Sequence, residues 1–183
     1  LGDKAIEWVK QMNTECLESL GDPKDNPLFY KVLAILNNKD KIPYVRKIGS
    51  AYYNFWQDSA NPRGIWRKTS WESYITKSPV WSTVIDFDQL GRDEGESWVY
   101  KGSTICDIIC GVEPSRALLK LSRGGSDAVV TREFDLGKCR FVPEEEGGFI
   151  VPEAKSRVSW LSPDVILVGT DFKDGNSLTD RGY

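Results

Sequence analysis

Four cysteines, several close carboxylate pairs, an acid-rich loop and seven tryptophans are the residues of this 183-residue chain with chemistry to offer. Cys106 and Cys110 stand at a spacing that would supply half of a metal site. A tetrahedral site needs more ligands, and the sequence has no histidine and no second close cysteine pair. Free thiols in a reducing compartment are the reading these cysteines favour. Asp171, Asp174, Asn176 and Asp180 share a glycine-containing loop that calls for a calcium reading, but the spacing lacks the terminal bidentate glutamate of such a loop. Asp86 with Asp88, and Asp93 with Glu94, are close in sequence, which does not set them facing each other across a substrate. Gly124-Gly125 and Gly147-Gly148 fit no phosphate-binding pattern and read as turn glycines. No catalytic, cofactor-binding or metal-binding residue is therefore expected in this chain.

The missing histidines exclude most. A Ser-His-Asp, Cys-His or histidine-liganded metal mechanism cannot be assembled from these residues alone. With 24 basic and 27 acidic residues, there is no basic footprint for nucleic acid. No apolar run reaches the length of a membrane span. The chain is expected in the cytoplasm; because it starts at Leu1 and not at Met, a periplasmic location stays open.

The elements that would position these residues fall into two parts. Residues 3–20 have helical periodicity, with Ile6, Val9, Asn13, Cys16, Leu17 and Leu20 near one face and Gly21 as the stop. Asn26-Pro27 reads as a cap and first position of a second helix to about Leu36, with Leu28, Val32, Ile35 and Leu36 as its stripe. Both are expected to be packing elements, and residues 1–40 form the helical segment. From Ile42 onward the pattern changes to short strands: residues 42–47, 50–57, 64–69 and 81–87, then 98–101, 117–121, 128–134 and 139–142. The cluster Arg123-Gly124-Gly125-Ser126-Asp127 turns one strand onto the next, and Val130, Arg132 and Phe134 alternate with Thr131, Glu133 and Asp135 as if one face were buried and one wet. Residues 143–152 read as a polar loop, and strands at 158–160 and 165–171 flank the turn Ser162-Pro163-Asp164. Repeated strand pairs of this kind spell a β-propeller, about two and a half blades over residues 41–183. The tryptophans are expected to pack between sheets, and Arg63, Arg67, Arg123 and Arg157, at strand ends or turns, to pair across them.

These runs resemble the prolyl oligopeptidase family of serine peptidases. The likeness is carried by Tyr53-Asn-Phe-Trp-Gln-Asp58, by Asn61-Pro-Arg-Gly-Ile-Trp-Arg67 and by Trp81-Ser-Thr-Val-Ile-Asp-Phe-Asp-Gln-Leu90. It continues through Leu121-Ser-Arg-Gly-Gly-Ser-Asp-Ala-Val-Val-Thr-Arg-Glu-Phe-Asp135 and Glu153-Ala-Lys-Ser-Arg-Val-Ser-Trp160, and the leading helix Ala5–Asn13 resembles the family's entry helix. The resemblance implies a mainly β fold: a partial β-propeller, about two and a half blades of a seven-bladed one, preceded by two α-helices.

It also implies a parent enzyme whose propeller gates access of short peptides to an α/β-hydrolase domain carrying Ser, Asp and His. That domain is absent here: there is no G-x-S-x-G elbow and no histidine. The expected partners are a peptide substrate of the parent, the missing hydrolase domain and remaining blades, and a second copy through the open blade edge. Nucleic acid and membrane are not expected. The alternative reading is a stand-alone β-rich binding module without enzymatic activity.

Overall fold

In the computed structural model, residues 2–38, 40–108 and 111–170 are described. They fall into two compact units, one up to Lys41 and one from Ile42 on.

The first unit is helical. α1 (Asp3–Leu20) ends at Gly21, whose φ of 83° suits a residue without Cβ and whose N–H reaches the Leu17 carbonyl at 2.8 Å. A 3-10 turn (Pro23–Asp25) follows, and the Asn26 side chain then accepts the Leu28 N–H at 2.9 Å to start α2 (Pro27–Leu36). No residue of either helix is buried, so the stripes expected to pack have no covering layer within this unit.

The second unit holds the strands. β1 (Arg46–Ile48), β2 (Ala51–Trp56), β3 (Ile65–Thr69) and β4 (Ser82–Asp86) form an antiparallel meander in sequence order. The short helix α3 (Trp71–Tyr74) links β3 to β4, and α4 (Phe87–Glu94) follows β4, capped by the Asp86 side chain. A second sheet contains β5 (Trp98–Ile105), β6 (Arg116–Arg123), β7 (Val129–Asp135), β8 (Arg140–Phe141) and β9 (Ile150–Ala154), with β8 and β9 both paired to β7. β10 (Arg157–Ser162) and β11 (Val165–Gly169) form a separate two-stranded sheet. The fold is mainly β, with several antiparallel sheets and, among the described residues, no closed barrel.

Two sheets and a hairpin stack because each supplies apolar side chains to the next. Between the first and second sheets lie Tyr53, Trp66, Phe87, Trp98, Leu119, Leu121 and Phe134. Trp66 sits 5.0 Å from the Tyr53 ring, 6.2 Å from Tyr100 and 6.4 Å from Phe134, centroid to centroid. On the other side of the second sheet, Leu118, Val151 and Val158 pack with Phe149, Trp160, Ile166 and Val168.

Three sequence expectations change. β7 has no wet face: Thr131, Glu133 and Phe134 are all sealed from solvent, because the hairpin side covers the face that polar residues were expected to expose to water. Residues 150–152, the end of the expected loop, belong instead to β9, since the edge of β7 recruits them: Thr131 pairs with Val151 and Arg132 with Ile150. β5 runs on to Ile105, past the strand expected at 98–101, because a bulge between Tyr100 and Gly102 resets its register against β6.

Burial gives the first core a pH signature. The Tyr53 phenol is pushed up to about 12, first by burial, then by the Cys139 sulfur and the Glu113 carboxylate. An unfolded tyrosine loses its proton near ~10. Between these values the unfolded chain binds fewer protons, so Tyr53 stabilises the fold fully below about pH 10 and that contribution is lost as pH rises towards 12. Urea midpoints measured from pH 9 upward should fall, and Tyr53→Phe should remove on the order of 2 kcal/mol of that fall. An unchanged profile in the variant would refute this role.

Candidate functional site

The carboxylate pairs noted in the sequence are structural. Asp86 accepts the Gln89 N–H at 2.9 Å, and Asp88 accepts the Arg63 N–H at 2.9 Å. Asp93 accepts from Gln89 Nε2 at 2.6 Å, while Glu94 accepts from Trp98 Nε1 and Arg132 Nη1, both at 2.8 Å. None faces another carboxylate across a cleft. Cys106 is half-buried; Cys110 and the loop from Asp171 to Asp180 lie outside the described residues. Among the described residues no group of three or more metal-type ligands converges.

The tryptophans divide. Trp66 and Trp98 are core residues and Trp160 packs edge-on against Phe149, as expected of rings between layers. Trp56 and Trp81 instead flank Arg67, and Trp71 is exposed.

The four arginines noted beforehand also part company. Arg63 links the sheets, donating from Nη2 to Ser97 Oγ at 2.7 Å just before β5. Arg123 binds Glu96 at 2.8 Å, just before β5, and Glu153 at 2.7 Å, in β9 of its own sheet. Arg157 makes no ion pair among the described residues. Arg67 stays within the first sheet. Its Nε donates to Asn54 Oδ1 at 2.8 Å, and its guanidinium carbon lies 4.2 Å from each of the Trp56 and Trp81 ring centroids. Burial lowers its basicity and the charge of Asp58 opposes that, but a guanidinium remains a cation at neutral pH.

One cluster went unnoticed in the sequence. Arg116 Nη1 donates to Glu133 Oε1 at 3.0 Å, and Glu133 is buried at 1% exposure. The other Glu133 oxygen accepts the Phe149 N–H at 3.1 Å. Arg116 Nη2 donates to the Pro163 carbonyl and approaches Asp164 at 3.6 Å, so one side chain ties β6, β7 and the β10–β11 turn. The register that sets Leu118 opposite Glu133 places Arg116 on the diagonal, which is the signal a hairpin alignment carries.

Taken together these groups bind, brace and stack, and none forms a nucleophile–base–oxyanion set. They are the contacts that hold a unit of stacked β-sheets together.

Comparison with known proteins then gives its relations. No family model matches the chain. It is 38% identical to an uncharacterized peptidase of Sinorhizobium fredii (strain NBRC 101917 / NGR234), over 100% of this chain and 24% of that protein. It is 30% identical to an uncharacterized peptidase of Rickettsia prowazekii (strain Madrid E), over 91% of this chain and 23% of that one. Its fold matches the structure of a post-proline cleaving enzyme from Rickettsia typhi with a TM-score of 0.79 and 31% identity, over 94% of this chain and 25% of that one. The likeness to the prolyl oligopeptidase family is thus borne out, and the chain spans about a quarter of the length of these relatives.

Removing Arg116 leaves the buried Glu133 carboxyl without its cationic partner, which costs about 3–5 kcal/mol in comparable pairs. Arg116→Met should therefore lower the urea midpoint sharply, and Arg116→Met with Glu133→Gln should recover a large part of the loss. Equal stabilities for the single and double variants would remove the pair from its bracing role.

Proposed function

We propose that the chain is the N-terminal, propeller-side segment of a prolyl oligopeptidase-like serine peptidase that hydrolyses short peptides in the cytoplasm. The observation that carries this reading is a match over 100% of the chain in one relative and 91% in the other, confined to about a quarter of each relative. That the structural neighbour is a post-proline cleaving enzyme supports peptides as the substrate class. In this reading, the stacked sheets are successive blades, and the propeller restricts which peptides reach a hydrolase domain elsewhere in the parent protein. That domain supplies the Ser nucleophile, the His that takes its proton, the Asp that orients the His and the oxyanion donors. The present residues contribute scaffold and access, so the isolated chain is inactive.

The intact mass of the product of the native gene tests the reading directly. A product several times heavier than 20.7 kDa is expected; one near 20.7 kDa would overturn the parent-enzyme reading in favour of a stand-alone binding module. The purified chain should also give no turnover of a fluorogenic proline-containing peptide, and turnover that co-purifies with it through successive columns would refute its inactivity.

We also propose that the isolated chain self-associates. Among the described residues β11 pairs only with β10, and Leu161, Val165 and Leu167 of this hairpin are exposed. Light scattering should give a mass that rises with concentration; a constant monomer mass counts against the proposal.

A further inference from the structure

Arg67 is unlike the other well-placed arginines of the strand unit. Arg116, Arg123, Arg132 and Arg140 each spend a terminal nitrogen on a carboxylate. Arg67 spends only Nε, on Asn54, and among the described residues its Nη1 and Nη2 donate to no acceptor and no carboxylate lies at ion-pair distance. Arg67 itself is half-buried. The nearby carboxylate, Asp58, is already engaged: one oxygen accepts from Trp56 Nε1 at 2.9 Å, and the other from Ala60 N at 3.0 Å, Asn61 N at 2.9 Å and Asn61 Nδ2 at 3.0 Å.

The guanidinium is also fixed in place. Two indoles hold its plane and Asn54 holds its Nε edge. Asn54 is itself pinned, donating from Nδ2 to the Tyr44 carbonyl at 2.8 Å. A fork held this way loses little entropy when it takes a bidentate carboxylate. Around it the same face carries a platform for a chain. Tyr52 lies two residues from Asn54, stacks on Tyr74 at 6.2 Å and leans on Trp71 at 5.3 Å, with Trp71, Ile75 and Val80 exposed.

We propose that Arg67 and its tryptophan bracket form a docking site for an acidic peptide segment. One side-chain carboxylate is held by Nη1 and Nη2, and the neighbouring residues lie over the Tyr52–Trp71–Tyr74 platform. Charge complementarity selects the occupant: among the described residues the face offers an oriented cation with open terminal donors amid aromatic surface. The proposal does not depend on peptidase activity.

The test titrates the full chain with a blocked pentapeptide carrying one glutamate between alanines and prolines, following tryptophan emission. The glutamine counterpart of that peptide, sodium acetate and Arg67→Lys complete the set. The glutamate peptide should bind saturably, and the glutamine peptide at least about tenfold more weakly, since a charge-assisted hydrogen-bond pair is lost. Arg67→Lys keeps the charge without the fork and should weaken the glutamate peptide by a similar factor. Equal binding of both peptides, unchanged binding by Arg67→Lys, or acetate binding as tightly as the peptide would each overturn the proposal. If Arg67→Lys does not fold by circular dichroism, the two peptides on the unaltered chain decide it alone.

Discussion

Leu118 and Leu119 are consecutive in β6, and neither touches water. Successive strand residues point to opposite faces, so β6 must be covered twice. Leu119 belongs to the aromatic core shared with the first sheet, and Leu118 to the cluster shared with the β10–β11 hairpin. Sealing one leucine side chain from water is worth roughly 1.5–3 kcal/mol, and β6 contributes Leu118, Leu119 and Leu121. Stacking sheets rather than curling one sheet closed follows from that demand: the central sheet has two apolar faces, and each needs a partner layer.

The same constraint decides what happens to charge. Once the hairpin covers the second face of β7, Glu133 cannot reach water, and a buried carboxylate needs a paired cation. Arg116 supplies it, and its remaining donors reach the hairpin turn, so the group that rescues the buried charge also fastens the layer that buried it. Arg132 and Glu94 do related work at the rim. Glu94 accepts from both Arg132 and Trp98, joining the end of α4 to two strands of the second sheet. The turns are fixed in a similar way: Gly49, at φ 57°, leaves room for Glu113 to accept both Ser50 N–H and Ser50 Oγ–H, at 2.7 and 2.9 Å.

Much of this was legible in the sequence where a local rule decides it. Gly21, Asn26-Pro27 and Gly124-Gly125 act through backbone geometry within a few residues, and the helix ends and the β6–β7 turn fall where those residues put them. β2, β3 and β4 of the first sheet also fall where the sequence put them, whereas β1 is Arg46–Ile48 and shares only two residues with the strand expected at 42–47. What failed was the reading of β7, because alternation of residue types reports one buried face only when the other meets water. Thr131 and Glu133 look exposed in sequence and are buried by a layer that forms some thirty residues later. β9 was missed because Glu144, Glu145 and Glu146 dominate that stretch, whereas its strand character comes from pairing with β7. For the site, residue types alone could not tell an arginine whose fork meets a carboxylate from one whose fork meets none among the described residues.

That distinction separates Arg116 from Arg67. Each lies on a strand beside a tryptophan, Arg116 at 5.3 Å from Trp160 and Arg67 at 4.2 Å from two indoles. Arg116 meets a carboxylate on its own sheet and a carbonyl on the next layer, so its fork is consumed by the stack. Arg67 points to the opposite face of the first sheet from Tyr53 and Trp66, where the described residues of its unit provide rings but no acceptor for its terminal nitrogens. Had the tryptophans alone been enough, the second face would need nothing more than apolar cover. An oriented cation with open donors asks for a carboxylate as well, and in this unit the layered faces that already have their cover supply one.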